Sequence, residues 1–130
     1  LLLAHPTWSG TLFAPGHGIA PEVVYGELLR LLGADGVIYV NPGGRFAVAE
    51  ELTLEVNRRL RRPWEGIRAA FPAPGGGIQV DTVPHWVERY GPDTLFLVGG
   101  SLYQAGGREG GLEMATRRLM QALAAAGRPA

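Results

Sequence analysis

Along its 130 residues the chain passes about four times through one order, a short unbroken apolar stretch, a glycine-rich loop and an amphipathic helix, and few folds accept that order. The apolar stretches are Leu1-Leu2-Leu3-Ala4-His5, Gly36-Val37-Ile38-Tyr39-Val40 and Thr94-Leu95-Phe96-Leu97-Val98. The second is rich in the β-branched and aromatic types that fit a pleated, buried surface. Their hydrophobicity is continuous rather than alternating, as in strands covered on both faces of a parallel sheet.

The helices between them have legible ends. Pro21 stands where a first helical residue belongs, Val24, Leu28 and Leu31 share a face at i, i+4, i+7 spacing, and Gly33 supplies a left-handed cap. A second helix is expected from about Ala49 to Leu60, with Leu52, Val56 and Leu60 in one stripe. Arg58, Arg59, Arg61 and Arg62 lie near the negative end of its dipole, and Pro63 stops it. A third runs from Pro84 to Gly91 and buries Val87 with Tyr90. The last runs from about Leu112 to Ala126, closed by Gly127 and Pro129. Between Gly66 and Asp81 local rules make 71–77 a loop and put a strand at Ile78 to Val80, because proline cannot donate to a sheet ladder.

Four βα units in this length equal half of a barrel whose eight units take about 250 residues. The competing architecture is a small open α/β sheet. No G-x-G-x-x-G or P-loop signature follows a strand, so nothing supports a nucleotide-binding version of it. With 46% hydrophobic and 18% charged residues, one compact unit spanning 1–130 is expected. Twelve basic and twelve acidic side chains cancel, so no overall field draws in nucleic acid or an anionic membrane, and any bound anion must be held locally. The lack of cysteine rules out disulfides and thiolate-bound zinc, which suits a cytoplasmic protein. No run approaches membrane-spanning length, and Leu1-Leu2-Leu3-Ala4 is too short and lacks the basic flank of a signal peptide. The chain begins without Met on what reads as a buried strand, and is expected to be a piece of a longer one.

Gly16-His17-Gly18-Ile19, Leu31-Leu32-Gly33-Ala34-Asp35, Pro74-Gly75-Gly76-Gly77-Ile78-Gln79-Val80 and Leu97-Val98-Gly99-Gly100-Ser101-Leu102 follow in order. Together they resemble the C-terminal barrel segment of the RuBisCO large-chain superfamily, from the fifth barrel strand through the eighth. Each motif is mostly glycine and weak alone; four in order, at matching spacing, are specific. The fold implied is α/β, the C-terminal half of a (β/α)8 TIM barrel with about four βα units and parallel strands. The resemblance also moves a strand, since the family's seventh precedes the paired glycines. It would then lie at about Ala69 to Ala73, with Ile78 leading into the next helix.

In β/α barrels chemistry sits at the C-terminal ends of the strands, and phosphate commonly binds at the loops after strands seven and eight. Gly76, Gly77, Gly99 and Gly100 would occupy those loops, their amides converging on a dianion as a nest, although glycine pairs also simply make tight turns. His5 matches the family's active-site histidine at the end of the fifth strand, where an imidazole can move a proton beside a carbonyl. His17 and His85 read as loop and helix surface. Arg45, in Asn41-Pro42-Gly43-Gly44-Arg45-Phe46, falls where carboxylases carry a mobile-loop lysine, and its planar fork suits phosphate or carboxylate instead. Ile38-Tyr39-Val40 stands where carboxylases present a histidine, Gly75 where they have a serine, and Pro6 where they have an arginine. These departures argue against carboxylation.

The resemblance therefore implies the RuBisCO-like (form IV) branch, whose members enolise or isomerise phosphorylated ketoses, as in methionine salvage. It implies Mg²⁺ held by a carbamylated lysine and two carboxylates from a segment this chain does not contain. Asp35 and Asp81 are the substitutes the chain offers, but Asp35 precedes its strand, at the wrong end of the barrel, and no metal ligand is assigned. The implied partners are a small phosphorylated sugar and, for the intact protein, a second copy in a homodimer. Nucleic acid and membrane are not expected as partners, and the fragment alone is expected to be inactive or weak. Two alternatives stand beside this reading: a non-catalytic phosphate-binding or assembly module, and, ranked last, a ribulose-bisphosphate carboxylase.

Overall fold

The computed structural model describes residues 1–108 and 110–127, and for Arg108 only the backbone. Three strands, β1 (Leu3–Ala4), β2 (Gly36–Val40) and β3 (Phe71–Gly75), pair in parallel in that order. Residues 94–98 extend the sheet beyond β3 through a parallel bridge from Gly75 to Leu97. Among the described residues the helices that follow or intervene are α1 (residues 21–31), α2 (Glu50–Arg61), α3 (Val83–Tyr90), α4 (Gly100–Arg108) and α5 (Leu112–Ala126). Short 3₁₀ turns occupy Ser9–Leu12 and Val80–Thr82. The order is that of consecutive βα units, and the α/β half-barrel expectation holds.

β3 lies two residues later than the sequence placed it, and Ile78 to Val80 is not a strand. The prolines explain how a strand can run there. Leu95 and Leu97 donate to the carbonyls of Pro72 and Pro74 at 2.9 and 3.1 Å, but neither proline has an N–H to return. The fourth stretch is therefore a half-made ladder rather than a full strand. β1 is also shorter than expected, because Leu1 and Leu2 lie exposed ahead of the pairing with β2.

Helix α1 departs from its expected face. Val24–Leu28 is a π turn, in which the Leu29 amide bonds Val24 O five residues back. The extra residue rotates everything after it, so Val24 is buried while Leu28 and Leu31 face solvent. Arg30 takes the inward place, only 3% exposed. It donates to the carbonyls of Arg59, Arg62 (3.2 Å), Ile67 (3.4 Å) and Arg68 (3.1 Å), and so satisfies the orphan acceptors at the end of α2. Burial, and then the neighbouring Arg62 charge, lower its pKa, with Glu27 opposing them. Gly26 lets α1 and α2 touch: a Cβ there would lie 2.6 Å from Cβ of Arg59.

Two apolar clusters fill the layer between sheet and helices. Val37 and Tyr39 of β2 pack on Val56 and Leu60 of α2. Ile78, Val83, Trp86, Val87 and Tyr90 pack with Leu119 of α5, joined at the edge by Phe96 and Val98. The opposite face of the sheet is bare, with Leu3, Phe71, Leu95 and Leu97 all exposed.

Candidate active site

A cleft of ≈ 270 Å³ opens where the strands end. His5 follows β1, Val40 closes β2, Gly75 closes β3 and Leu97 lies in the fourth stretch, so every strand contributes to its wall. The remaining wall is largely apolar. Its polar atoms come from the exposed imidazole of His5 and from Ser9 and Tyr25, whose hydroxyls meet at 2.7 Å. Tyr39 also lines the cleft, but its hydroxyl turns inward to Asn57 Oδ1. Burial and then the nearby Tyr90 raise the Tyr39 pKa, against the Asn57 hydrogen bond, so it is a fixed neutral donor rather than an acid-base group.

The loop after β2 is pinned from below. Asn41, fully buried, donates from its backbone to Gly75 O at 2.9 Å, and its Oδ1 accepts from the Tyr90 hydroxyl at 2.9 Å. The loop then folds onto the one after β3. Gly77 has φ 71°, and a Cβ on it would lie 2.4 Å from the Gly44 nitrogen and 2.5 Å from the Gly43 carbonyl carbon, so only glycine fits. The amide of Gly77 donates to no protein acceptor among the described residues, whereas Gly76 directly follows the parallel bridge from Gly75 to Leu97.

Gly99 and Gly100 open helix α4. The amides of Leu102 and Tyr103 bond Gly99 O, at 2.9 and 3.2 Å, while those of Gly100 and Ser101 precede the first intrahelical acceptor. The two glycine pairs follow adjacent stretches of one sheet, and the Ser101 hydroxyl donates to Ile78 O between them. They therefore share a rim. Arg45 stands exposed on that side, its guanidinium 4.8 Å over the Phe46 ring, outside the cleft wall. His17 and His85 are both exposed, the latter edge-on to Trp86, and neither lines the cleft.

The acidic residues lie elsewhere. Asp35 precedes β2 at the opposite end of the sheet, where it holds the Leu2 amide at 2.7 Å and Arg68 at 3.3 Å. Asp81 is exposed and paired with Arg118. Among the described residues no group of three or more His, Cys, Asp or Glu side chains could hold a metal ion. No helix among the described residues is long and apolar enough to cross a membrane.

The structure places His5 in the cleft wall and the two glycine pairs after adjacent stretches of the sheet; the Ser9–Tyr25 pair was not expected from the sequence. Ser9 has no motif around it, and Tyr25 owes its position to a π turn that no hydrophobic period announces. The contact of Gly43 and Gly44 with Gly77 was likewise invisible, since it joins loops 33 residues apart.

No family model matches the chain. It is 43% identical over 102 residues to the 5-methylthioribulose-1-phosphate isomerase of Rhodospirillum rubrum, covering 78% of this chain and 26% of that protein. It is 37% identical over 103 residues to the 2,3-diketo-5-methylthiopentyl-1-phosphate enolase of Geobacillus kaustophilus, covering 78% of this chain and 25% of that one. Among solved structures, a RuBisCO-like protein of Alicyclobacillus acidocaldarius superposes with TM-score 0.79 at 35% identity. That match covers 95% of this chain and 30% of the other. The chain thus spans about a quarter of the length of the curated relatives it matches.

Proposed function

Because the chain belongs to the RuBisCO-like branch of the ribulose-bisphosphate carboxylase large-chain superfamily, we propose that the protein enolises or isomerises a small phosphorylated ketose. The observation that carries this reading is His5, set at a strand end in a cleft bordered by the ends of all four parallel stretches. In this reading His5 moves the proton on the carbon beside the substrate carbonyl, a role worth roughly a hundredfold or more in rate. In the same reading the loop of Gly76 and Gly77, through the unengaged Gly77 amide, holds the phosphate together with the Gly99–Gly100 start of α4, and Arg45 faces the same anion from the neighbouring loop.

The resemblance also implies Mg²⁺. The described residues do not fit it: no carboxylate lines the cleft and no acidic group clusters near it. No step is therefore routed through the ion, whose ligands would come from outside this chain. Assembly as a homodimer and a cytoplasmic location belong to the same proposal.

The test uses the complete gene product with 5-methylthioribulose 1-phosphate, the compound in the R. rubrum relative's name. Wild-type protein should exchange solvent deuterium into the carbon skeleton, and His5→Ala should lower the exchange rate at least a hundredfold. Exchange that survives the substitution removes His5 from the mechanism. A second reading, a phosphate-binding module without chemistry, draws on the lack of an acidic cluster in this chain. It requires phosphate affinity with no exchange in either protein.

A further inference from the structure

The cleft holds one pair of groups that the reading above leaves unused. Ser9 Oγ and the Tyr25 hydroxyl lie 2.7 Å apart, and among the described residues each hydroxyl has only the other as partner. Two hydroxyls carry two protons and one bond between them uses one. The other proton is left for whatever enters the cleft, since both residues line it. Everything else about Tyr25 holds it still. Its ring meets Phe13 edge-on at 5.6 Å, and it packs against the cluster around Val37 and Leu60. It stands within the π turn, a local distortion that recurs at functional sites and here carries the ring to the sheet's C-terminal end. Tyr25 also forms part of the wall of a second, apolar cavity of ≈ 270 Å³ behind the cleft, bounded by Leu52 and Val56.

A mostly apolar cleft with a few converging, pre-oriented polar groups is the usual build of a small-molecule site. Resting on the reading given above, we propose that Tyr25 is a positioning residue. Its phenol, held by Ser9, donates a hydrogen bond to a hydroxyl of the ketose and so fixes which carbon His5 addresses. A phenol suits this better than a charged group, because it binds a neutral hydroxyl without the desolvation cost of an ion.

The test compares the phosphorylated ketose with analogues lacking one hydroxyl each, in wild-type, Tyr25→Phe, Ser9→Ala and His5→Ala forms of the complete gene product. Wild type should favour the full ketose over one analogue by about tenfold in kcat/KM, the scale of one hydrogen bond, and Tyr25→Phe should abolish that preference. Ser9→Ala should weaken it partly. A merely structural defect lowers activity on all substrates alike, so a preference retained by Tyr25→Phe overturns the proposal whatever its absolute rate. If wild type turns nothing over, the enolase reading fails separately, and the same comparison is made by calorimetric binding of the same compounds. Loss of discrimination in Tyr25→Phe then still supports the positioning role; equal discrimination, or no binding by wild type, overturns it.

Discussion

Tyr90→Phe removes a single oxygen from beneath the loop that carries Arg45, and its cost follows from a count of protons. Three contacts meet there: Thr53 Oγ1 to Glu50 O at 2.7 Å, Thr53 Oγ1 with the Tyr90 hydroxyl at 3.1 Å, and Tyr90 to Asn41 Oδ1 at 2.9 Å. Two hydroxyl protons cover the three contacts only if Thr53 shares its proton between Glu50 O and the Tyr90 oxygen while Tyr90 donates to Asn41 Oδ1. Thr53 therefore keeps a partner when Tyr90 loses its oxygen, whereas Asn41 Oδ1 loses its donor while fully buried. Leaving such an acceptor unmet costs about 1–3 kcal/mol. Packing offsets none of it, since the phenylalanine ring keeps its stack on Trp86 at 5.2 Å. With a urea slope of about 2 kcal/mol/M the midpoint should fall by about 0.5–1.5 M, the slope itself unchanged. The effect has a pH signature. Burial, against the Thr53 hydrogen bond, pushes the Tyr90 phenol up to about 12. A proton held more tightly in the folded state stabilises fully below the unfolded value of about 10 and loses its effect as pH rises toward 12. The gap between wild type and Tyr90→Phe should therefore be constant up to about pH 10 and narrow between there and pH 12. A gap below about 0.5 kcal/mol at neutral pH, or one that does not narrow, refutes the reasoning.

Gly77→Ala should cost about 2–5 kcal/mol, the strain of a side chain at φ 71° added to the clash of its Cβ with the Gly43–Gly44 backbone, and weaken inorganic phosphate binding measured by calorimetry. Gly76→Ala, with open space around it, should cost only the roughly 1–2 kcal/mol of a side chain at φ 90°, and an equal cost at both sites would contradict the loop contact. Gly26→Ala gains about 1 kcal/mol of helix propensity but forces α1 off Arg59, so thermal unfolding should show a net loss; a more stable variant would mean the helices are not in contact there. Hydrogen bonds from Arg58 and then Arg59 hold the Glu55 carboxyl down at about 2. Its small contribution, about 0.5 kcal/mol for an exposed helix pair, should be present above the ordinary carboxylate range and fade as pH falls to 2. Glu55→Gln should flatten that part of the acid titration of stability, and an unchanged profile would count against the pairing.

The strand, loop and helix order was legible because each element carries its own local signal. Val56 and Leu60 of α2, and Val87 and Tyr90 of α3, bury as their spacing predicts. What escaped had non-local causes. The face of α1 turned because five residues, not four, separate Val24 from Leu29. The proline strand was legible only from the family pattern, since Pro72 and Pro74 suit it solely where their nitrogens face a neighbour that takes carbonyls and gives amides. Helix α4 was not expected, its Gly99-Gly100 and Gly106-Gly107 pairs masking a segment held by packing on α5. In the candidate site, His5 and the glycines stood out by residue type and order, whereas Ser9 and Tyr25 became partners only once the chain had folded.

Pro72 and Pro74 leave a weakened seam between β3 and residues 94–98, where the outer stretch donates to both proline carbonyls and neither proline has an N–H to give back. Fewer backbone bonds cross that line than cross the β2–β3 ladder, and the Ser101 hydroxyl on Ile78 O and the packing of Leu119 on the α3 cluster bridge it instead. Gly76-Gly77 and Gly99-Gly100 sit on opposite banks of this seam. A phosphate held by both pairs, as proposed above, would straddle this fault line, and the packing of Leu119, Phe96 and Val98 on the α3 cluster is what fixes the spacing of its two banks.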